Sequence, residues 1–435
     1  MHRREAPVSA EPHRAVRMLG VDAPTKLLAA GAVGALAAAN ALHPLATRGK
    51  ASLASFAAGA VTSEIPLIHA AAHGLVATGL AARGGLGSGR GRLGLGLTVA
   101  TTAAAVALHQ EARRAGPQLE AALLDGLGPG YHDEIVLPAR PEQGAQKVSR
   151  VPVLVATCTS RRRALRHEDV PYGPHGRRNQ LDVWARPDLP PGRPAPVVLQ
   201  VHGGAWVTGS KTGQAYPLLS HLVERGWIGV AVNYRLSPRS RWPDHLVDLK
   251  RALRWVKDHI ADHGGDPGFV AVTGGSAGGH LSSLLALTAG DPAFQPGFEA
   301  ADTEVQAAVS FYGVYDWTGT QGVRPDMLGF LERDVVRCSF GDHRHLFEEA
   351  SPIERVHAGA PPIFLLHGDR DVLAPVEQAR RFAHGLRAES LAPVAYAELA
   401  GAHHAFDVLS STRTRHAVQA VERFLGVAYG RHLAP

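Results

Sequence analysis

Four short runs in this chain hold groups able to carry out nucleophilic acyl chemistry: VHGGAW (201–206), TGGSAGG (273–279), LLHGDRDVLAP (365–375) and LAGAHHAF (399–406). Ser276 stands in Gly274-Gly275-Ser276-Ala277-Gly278, a GxSxG pattern between a strand-like run and an apolar helix start. Small neighbours there permit a turn so tight that the serine hydroxyl is presented beyond the sheet. A serine hydroxyl is a weak nucleophile at neutral pH and needs a base, an acid to orient that base, and donors for the oxyanion. Asp369 and Asp371 offer the acid, and His403 and His404 the base. The backbone amides of Gly203, Gly204 and Ala277 offer the donors. The chain order Ser, Asp, His suits one known arrangement of this chemistry.

Other readings of the glycines fail on particular residues. A phosphate loop of the GxxxxGK type needs lysine after its last glycine, and Gly279 is followed by His280 and Leu281. The frame of a dinucleotide-binding GxGxxG is absent too. The two cysteines, Cys158 and Cys338, form no CxxC pair, and the histidines show no HExxH spacing. No metal and no cofactor are expected. A disulfide between the two cysteines stays open.

The elements needed to position these residues are legible from about 166 onward. QLDVWAR (180–186) alternates apolar and polar residues, whereas APVVLQVHGG (195–204), WIGVAVNYRL (227–236), PGFVAVTGG (267–275), VQAAVSFYG (305–313) and PPIFLLHGD (361–369) are continuous apolar runs. Continuous runs ending in Gly or polar residues predict strands buried on both faces. DHLVDLKRALRWVKDHI (244–260) places Leu246, Leu249, Leu253, Val256 and Ile260 at helical spacing, with Pro243 just ahead. Alternation of strands and helices predicts an α/β fold, a mostly parallel central sheet flanked by helices, with its site beyond the carboxyl ends of the strands.

From about 170 to about 425 the chain resembles the hormone-sensitive-lipase-like esterase and lipase branch of the α/β-hydrolases. The resemblance rests on HGGAW, NYRLSP, GGSAGG, HGDRDVLAP and GAHHAF. It implies Ser276 as nucleophile, Asp371 as the acid and His404 as the base, with Asp369 and His403 left to structural roles. It implies an oxyanion hole from Gly203, Gly204 and Ala277. Two positions depart from the family pattern: Ala205 stands where a third glycine is usual, and Gly275 where many members have Asp. Trp206, Tyr234, Tyr312 and Trp317, near strand ends, are candidates for the substrate pocket, against an ordinary role in the core. His202 is expected to brace the oxyanion loop through its side chain.

The first 112 residues have another character. Apolar, alanine-rich stretches cover about 27–47, 51–82 and 93–109, each near or above the ~20 residues of a membrane-crossing helix. The middle one holds Glu64 and Pro66 and is expected to be broken or partly interfacial. A packed soluble bundle, or a signal peptide cleaved after ANA (39–41), are the alternatives. Arg3, Arg4, Arg14, Arg17 and Lys26 precede the first stretch, and Arg83, Arg90 and Arg92 lie between the second and third. That bias keeps the N-terminus cytoplasmic and places the catalytic part outside if the number of crossings is odd.

The resulting organisation is a basic arm (1–26), an apolar helical region (27–112), a linker or cap (113–165) and an α/β-hydrolase domain (166–430), expected to fold by itself from about 113. Of 435 residues, 45% are hydrophobic and 19% charged, with a net charge of +6. Basic residues are scattered rather than striped with aromatics, so no nucleic-acid partner is expected. The expected function is hydrolysis of carboxylic esters, short-to-medium acyl and lipid-derived. Amide hydrolysis by the same residues, or a silent membrane-tethered binding module, are the competing readings.

Overall fold

The continuous apolar runs become strands covered on both faces. In a computed structural model of the protein, which describes residues 21–138, 164–189, 192–319 and 325–434, eight strands form one sheet. They are β1 (Leu165–Pro171), β2 (Gln180–Trp184), β3 (Ala195–Val201), β4 (Ile228–Val232), β5 (Gly265–Gly275), β6 (Ala307–Phe311), β7 (Ile363–Gly368) and β8 (Val394–Leu399). Their order is β1-β2-β4-β3-β5-β6-β7-β8. β2 runs antiparallel to β1 and β4, and every other pairing is parallel.

Every residue of β3, β4, β6 and β7 is buried, as expected for a sheet between two helical layers. Side chains alternate between the layers: Val197, Leu199 and Val201 belong to one core cluster and Val198 to the other. The helix expected over 244–260 is present at Asp244–His259, with Leu246, Leu249, Leu253 and Val256 fully buried. Register aligns the strand ends that matter. Val201 pairs with Gly274, Gly275 with Phe311, and Gly368 with Leu399. The loops after β3, β5, β6, β7 and β8 therefore emerge side by side.

The N-terminal region holds four helices, α1 (Ala23–Leu42), α2 (Gly49–Glu64), α3 (Pro66–Leu80) and α4 (Gly89–Leu127). Chain contacts divide the protein into two units: one up to Leu36 together with Ala70–Ala103, the other Ala37–His69 together with everything from Ala104. In the first unit, helices approach at glycines. A Cβ on Gly31 would lie 2.3 Å from the carbonyl oxygen of Gly94.

The middle apolar stretch, expected over 51–82 to be broken or partly interfacial, is broken. It breaks at Ile65–Pro66, and the two arms meet at 93°, because proline cannot donate into the preceding turn. Its first arm, α2, belongs to the same unit as the sheet. α4 continues to Leu127, and Ala115, Leu119 and Leu123 on it enter the core of the sheet-containing unit. The 113–165 segment thus begins as helix. Residues 139–163 of it, Cys158 and the arm residues Arg3, Arg4, Arg14 and Arg17 lie outside the described residues.

Candidate active site

β5 ends at Gly275 and the next helix, α5 (Ala277–Leu287), begins two residues on, leaving Ser276 to make the reversal. Ser276 adopts φ 60° and ψ −124°, a strained conformation costing a non-glycine residue ~1–3 kcal/mol. The surroundings hold it there. Its amide donates to the Phe311 carbonyl at 3.0 Å, and Gly278 packs so closely on β3 that a Cβ would lie 2.2 Å from the Val201 carbonyl oxygen. Ser276 lines a cavity of about 380 Å³ whose walls are largely apolar.

Asp371 follows β7 in a turn that it closes itself, one carboxylate oxygen accepting from the amides of Leu373 and Ala374, each at 2.8 Å. The other oxygen accepts from His404 Nδ1 at 2.6 Å. His367 Nε2 lies 3.4 Å from that same oxygen. Burial pushes the Asp371 pKa up, but His404 and the bond from His367 outweigh it and hold the carboxyl below its ordinary range. With Nδ1 donating to Asp371, Nε2 is the basic nitrogen of His404, and His404 lines the same cavity as Ser276.

The neighbouring candidates have other tasks. His403 Nε2 donates to the Ala41 carbonyl at 2.9 Å, and its ring packs against Gly59, where a Cβ would lie 2.5 Å away. Burial pushes its pKa down. Asp369 accepts from the Gly401 amide at 2.8 Å and ties two strand-end loops together. His202 donates from Nδ1 to the Gly203 carbonyl at 2.8 Å and stacks on Tyr234. Burial lowers its pKa to about 4, so it is a neutral brace.

The oxyanion loop differs from expectation at Gly203. Its amide donates to Gln214 Oε1 at 2.7 Å, and Gln214 Nε2 reaches back to the Gly203 carbonyl at 3.4 Å. That N–H is committed to a side chain eleven residues further on. The next three residues, Gly204, Ala205 and Trp206, have φ of 124°, 51° and 61°, and Ala205 lines the cavity beside Ser276.

Of the four aromatic candidates, Trp206 lines the cavity. Tyr234 donates to the His202 carbonyl at 2.9 Å, Trp317 stacks on His280, and Tyr312 bonds to Asp407. Those three are buried away from the cavity wall. The wall also includes Ser52 and Leu53 of α2, which sequence reading assigned to a membrane segment. α2 buries Ser52, Ser55, Gly59, Thr62, Ser63 and Glu64, so its small and polar stripe faces the protein. That stripe, at three- and four-residue spacing, was the available signal. Phe56 on α2 sets its ring edge on His404 at 5.7 Å. Among the described residues, no cluster of His, Cys, Asp and Glu could hold a metal ion.

Known proteins agree with this frame. The BD-FAE family matches residues 181–386. Esterase LipQ of Mycobacterium tuberculosis is 51% identical over 323 residues, 74% of this chain and 77% of LipQ. LipM of the same organism, described as a probable carboxylic ester hydrolase, is 48% identical over 426 residues, 95% of this chain and 96% of LipM. A truncated carbohydrate esterase from gut microbiota shares the fold with a TM-score of 0.52 at 20% identity, covering 60% of this chain and 98% of that one. With an eight-stranded, mostly parallel sheet and a relative matched nearly end to end, the chain belongs to the hormone-sensitive-lipase-like esterase family of the α/β-hydrolases and is a carboxylic ester hydrolase.

Proposed function

We propose that the protein cleaves short-to-medium acyl esters of lipid origin through an acyl-enzyme, with Ser276 as nucleophile, His404 as base and Asp371 orienting the base. The observation that carries this reading is the 2.6 Å bond from His404 Nδ1 to Asp371, on an imidazole that shares a cavity with Ser276. His404 Nε2 takes the hydroxyl proton as Ser276 attacks the ester carbonyl. Asp371 fixes the tautomer and stabilises the imidazolium that forms. The proton then passes to the departing alcohol, and water, deprotonated by His404, releases the acid. Because the Gly203 amide is committed to Gln214, we assign the oxyanion donors to Gly204, Ala205 and Ala277. The apolar wall built by Leu53, Trp206, Val314, Met327 and Phe330 suits an acyl chain better than a polar acid.

The same proposal includes attachment to a membrane. Val33, Leu75 and Val99 are each more than 60% exposed, and glycine-mediated helix contact suits packing in lipid. α1, the run Pro66–Gly85 and the first half of α4 are the proposed crossings. The chain passes between its two units three times, after Leu36, before Ala70 and after Ala103. With Lys26 before α1 and Arg83, Arg90 and Arg92 before or at the start of α4, the positive-inside rule then puts the catalytic unit outside the cytoplasm.

A series of p-nitrophenyl esters from acetate to palmitate, assayed on the detergent-extracted full chain, tests the substrate range. Turnover is expected to peak at short-to-medium chains and to fall by roughly 10⁴-fold or more in Ser276→Ala. A preference for anilides over esters of the same acids would overturn the substrate assignment.

A further inference from the structure

The residue before the nucleophile is glycine for want of space, and what fills that space bears on the base. Gly275 has no left-handed backbone to accommodate. A Cβ on it would instead lie 2.5 Å from the phenolic oxygen of Tyr312 and 2.8 Å from two of its ring carbons. Tyr312 directly follows β6, with φ 37° and its amide donating to the Leu366 carbonyl at 2.7 Å. This left-handed residue turns the side chain onto the elbow, and a strained conformation at a strand end is a mark of a functional constraint.

The same ring also meets the base. Tyr312 and His404 have ring centroids 4.6 Å apart at 58°, and Phe406 closes edge-on at 5.5 Å. The phenol donates to Asp407, a buried carboxylate three residues after His404 in the same loop. Burial raises the Asp407 pKa, and the bond from Tyr312 opposes that rise.

Resting on the triad reading, we propose that Tyr312, anchored by Asp407, is the positioning residue that sets the separation between the Ser276 elbow and His404. Asp371 fixes the imidazole at Nδ1, and Tyr312 fixes the plane in which that imidazole approaches the hydroxyl. The Tyr312–Asp407 bond ties the loop carrying the base to the strand end beside the nucleophile. Neither residue exchanges a proton with substrate.

The test measures kcat and KM on one p-nitrophenyl ester, with the full chain, for Tyr312→Phe, Asp407→Asn, Gly275→Ala, Tyr312→Ala and the Gly275→Ala/Tyr312→Ala pair. Tyr312→Phe keeps the ring and loses its anchor. Its kcat is expected to fall roughly 10- to 100-fold, the scale of a small misplacement of reacting groups, with KM within about twofold of wild type. Asp407→Asn retains an acceptor for the phenol and is expected to be milder. Gly275→Ala is expected to lose kcat by pushing the ring, and to cost nothing further once Tyr312→Ala has removed that ring.

An undiminished kcat in Tyr312→Phe, a change confined to KM, or additive losses in the pair would each overturn the proposal. Should Tyr312→Ala fail to fold, the Tyr312→Phe and Asp407→Asn pair still decides it. Ser276→Ala serves as the control: residual full activity there removes the triad reading itself, whereas an inactive Ser276→Ala beside a normal Tyr312→Phe removes only this inference.

Discussion

His403 and His404 are chemically identical and adjacent, and their hydrogen bonds separate them. One gives its proton to a backbone carbonyl at 2.9 Å, the other to a buried carboxylate at 2.6 Å. The second bond sets a full negative charge against its ring, the first only a carbonyl dipole. The same logic of burial without a counter-charge applies to His202, His245 and His280, whose pKa values burial lowers to about 4, about 3 and about 3. His280 accepts from Trp206 Nε1 at 3.1 Å and donates to the Ala350 carbonyl at 2.6 Å, and so is used as a neutral ring. In the unfolded chain these imidazoles take up protons near 6.5. Between about pH 6.5 and 4 the unfolded state therefore binds more protons than the folded one, and stability falls as the pH falls through that window. The melting temperature of the detergent-solubilised protein is expected to decline steadily from pH 7 to pH 4. A flat profile over that range would contradict the neutral assignment.

At the scale of elements, α2 is the one whose place sequence reading did not anticipate. Alanine and glycine dominate it, and such a composition packs as readily on protein as in lipid. The informative residue was Glu64, which forms a buried ion pair with Arg413 and accepts from Ser411 at 2.6 Å. Removing one partner of such a pair leaves a buried charge unmatched, at a cost of about 3–5 kcal/mol. Glu64→Ala in the full chain is therefore expected to lower the melting temperature by roughly 5 °C or more. A chain beginning at residue 113 lacks Glu64, Ser52 and Leu53 together, and is expected to be unstable and without esterase activity. This reverses the expectation that the catalytic part folds alone. An active, soluble 113–435 fragment would show that α2 is dispensable.

Taken as a whole molecule, the six strands β2 to β7, the mostly parallel character of the sheet and the loops bearing chemistry were legible because both faces of the central sheet are covered. The edge strands β1, largely exposed, and β8 were given no range. Runs such as APVVLQV and IFLLHG have no polar face to confuse the pattern, and the helix over Asp244–His259 declared itself by period. Asp371 and His404 could be chosen over Asp369 and His403 only by family resemblance, since spacing alone left both pairs open. The commitment of the Gly203 amide to Gln214 was invisible, because a backbone N–H carries no residue-type signature. The reason for Gly275 was equally hidden, lying in a ring 37 positions downstream. The most direct test of the central claim is labelling of the intact protein by a fluorophosphonate, with the adduct mapped by mass spectrometry after digestion. A single adduct on the peptide carrying Ser276, lost together with ester hydrolysis in Ser276→Ala, is the expected result. An adduct on another residue, or undiminished hydrolysis by Ser276→Ala, would contradict the assignment of Ser276 as the nucleophile.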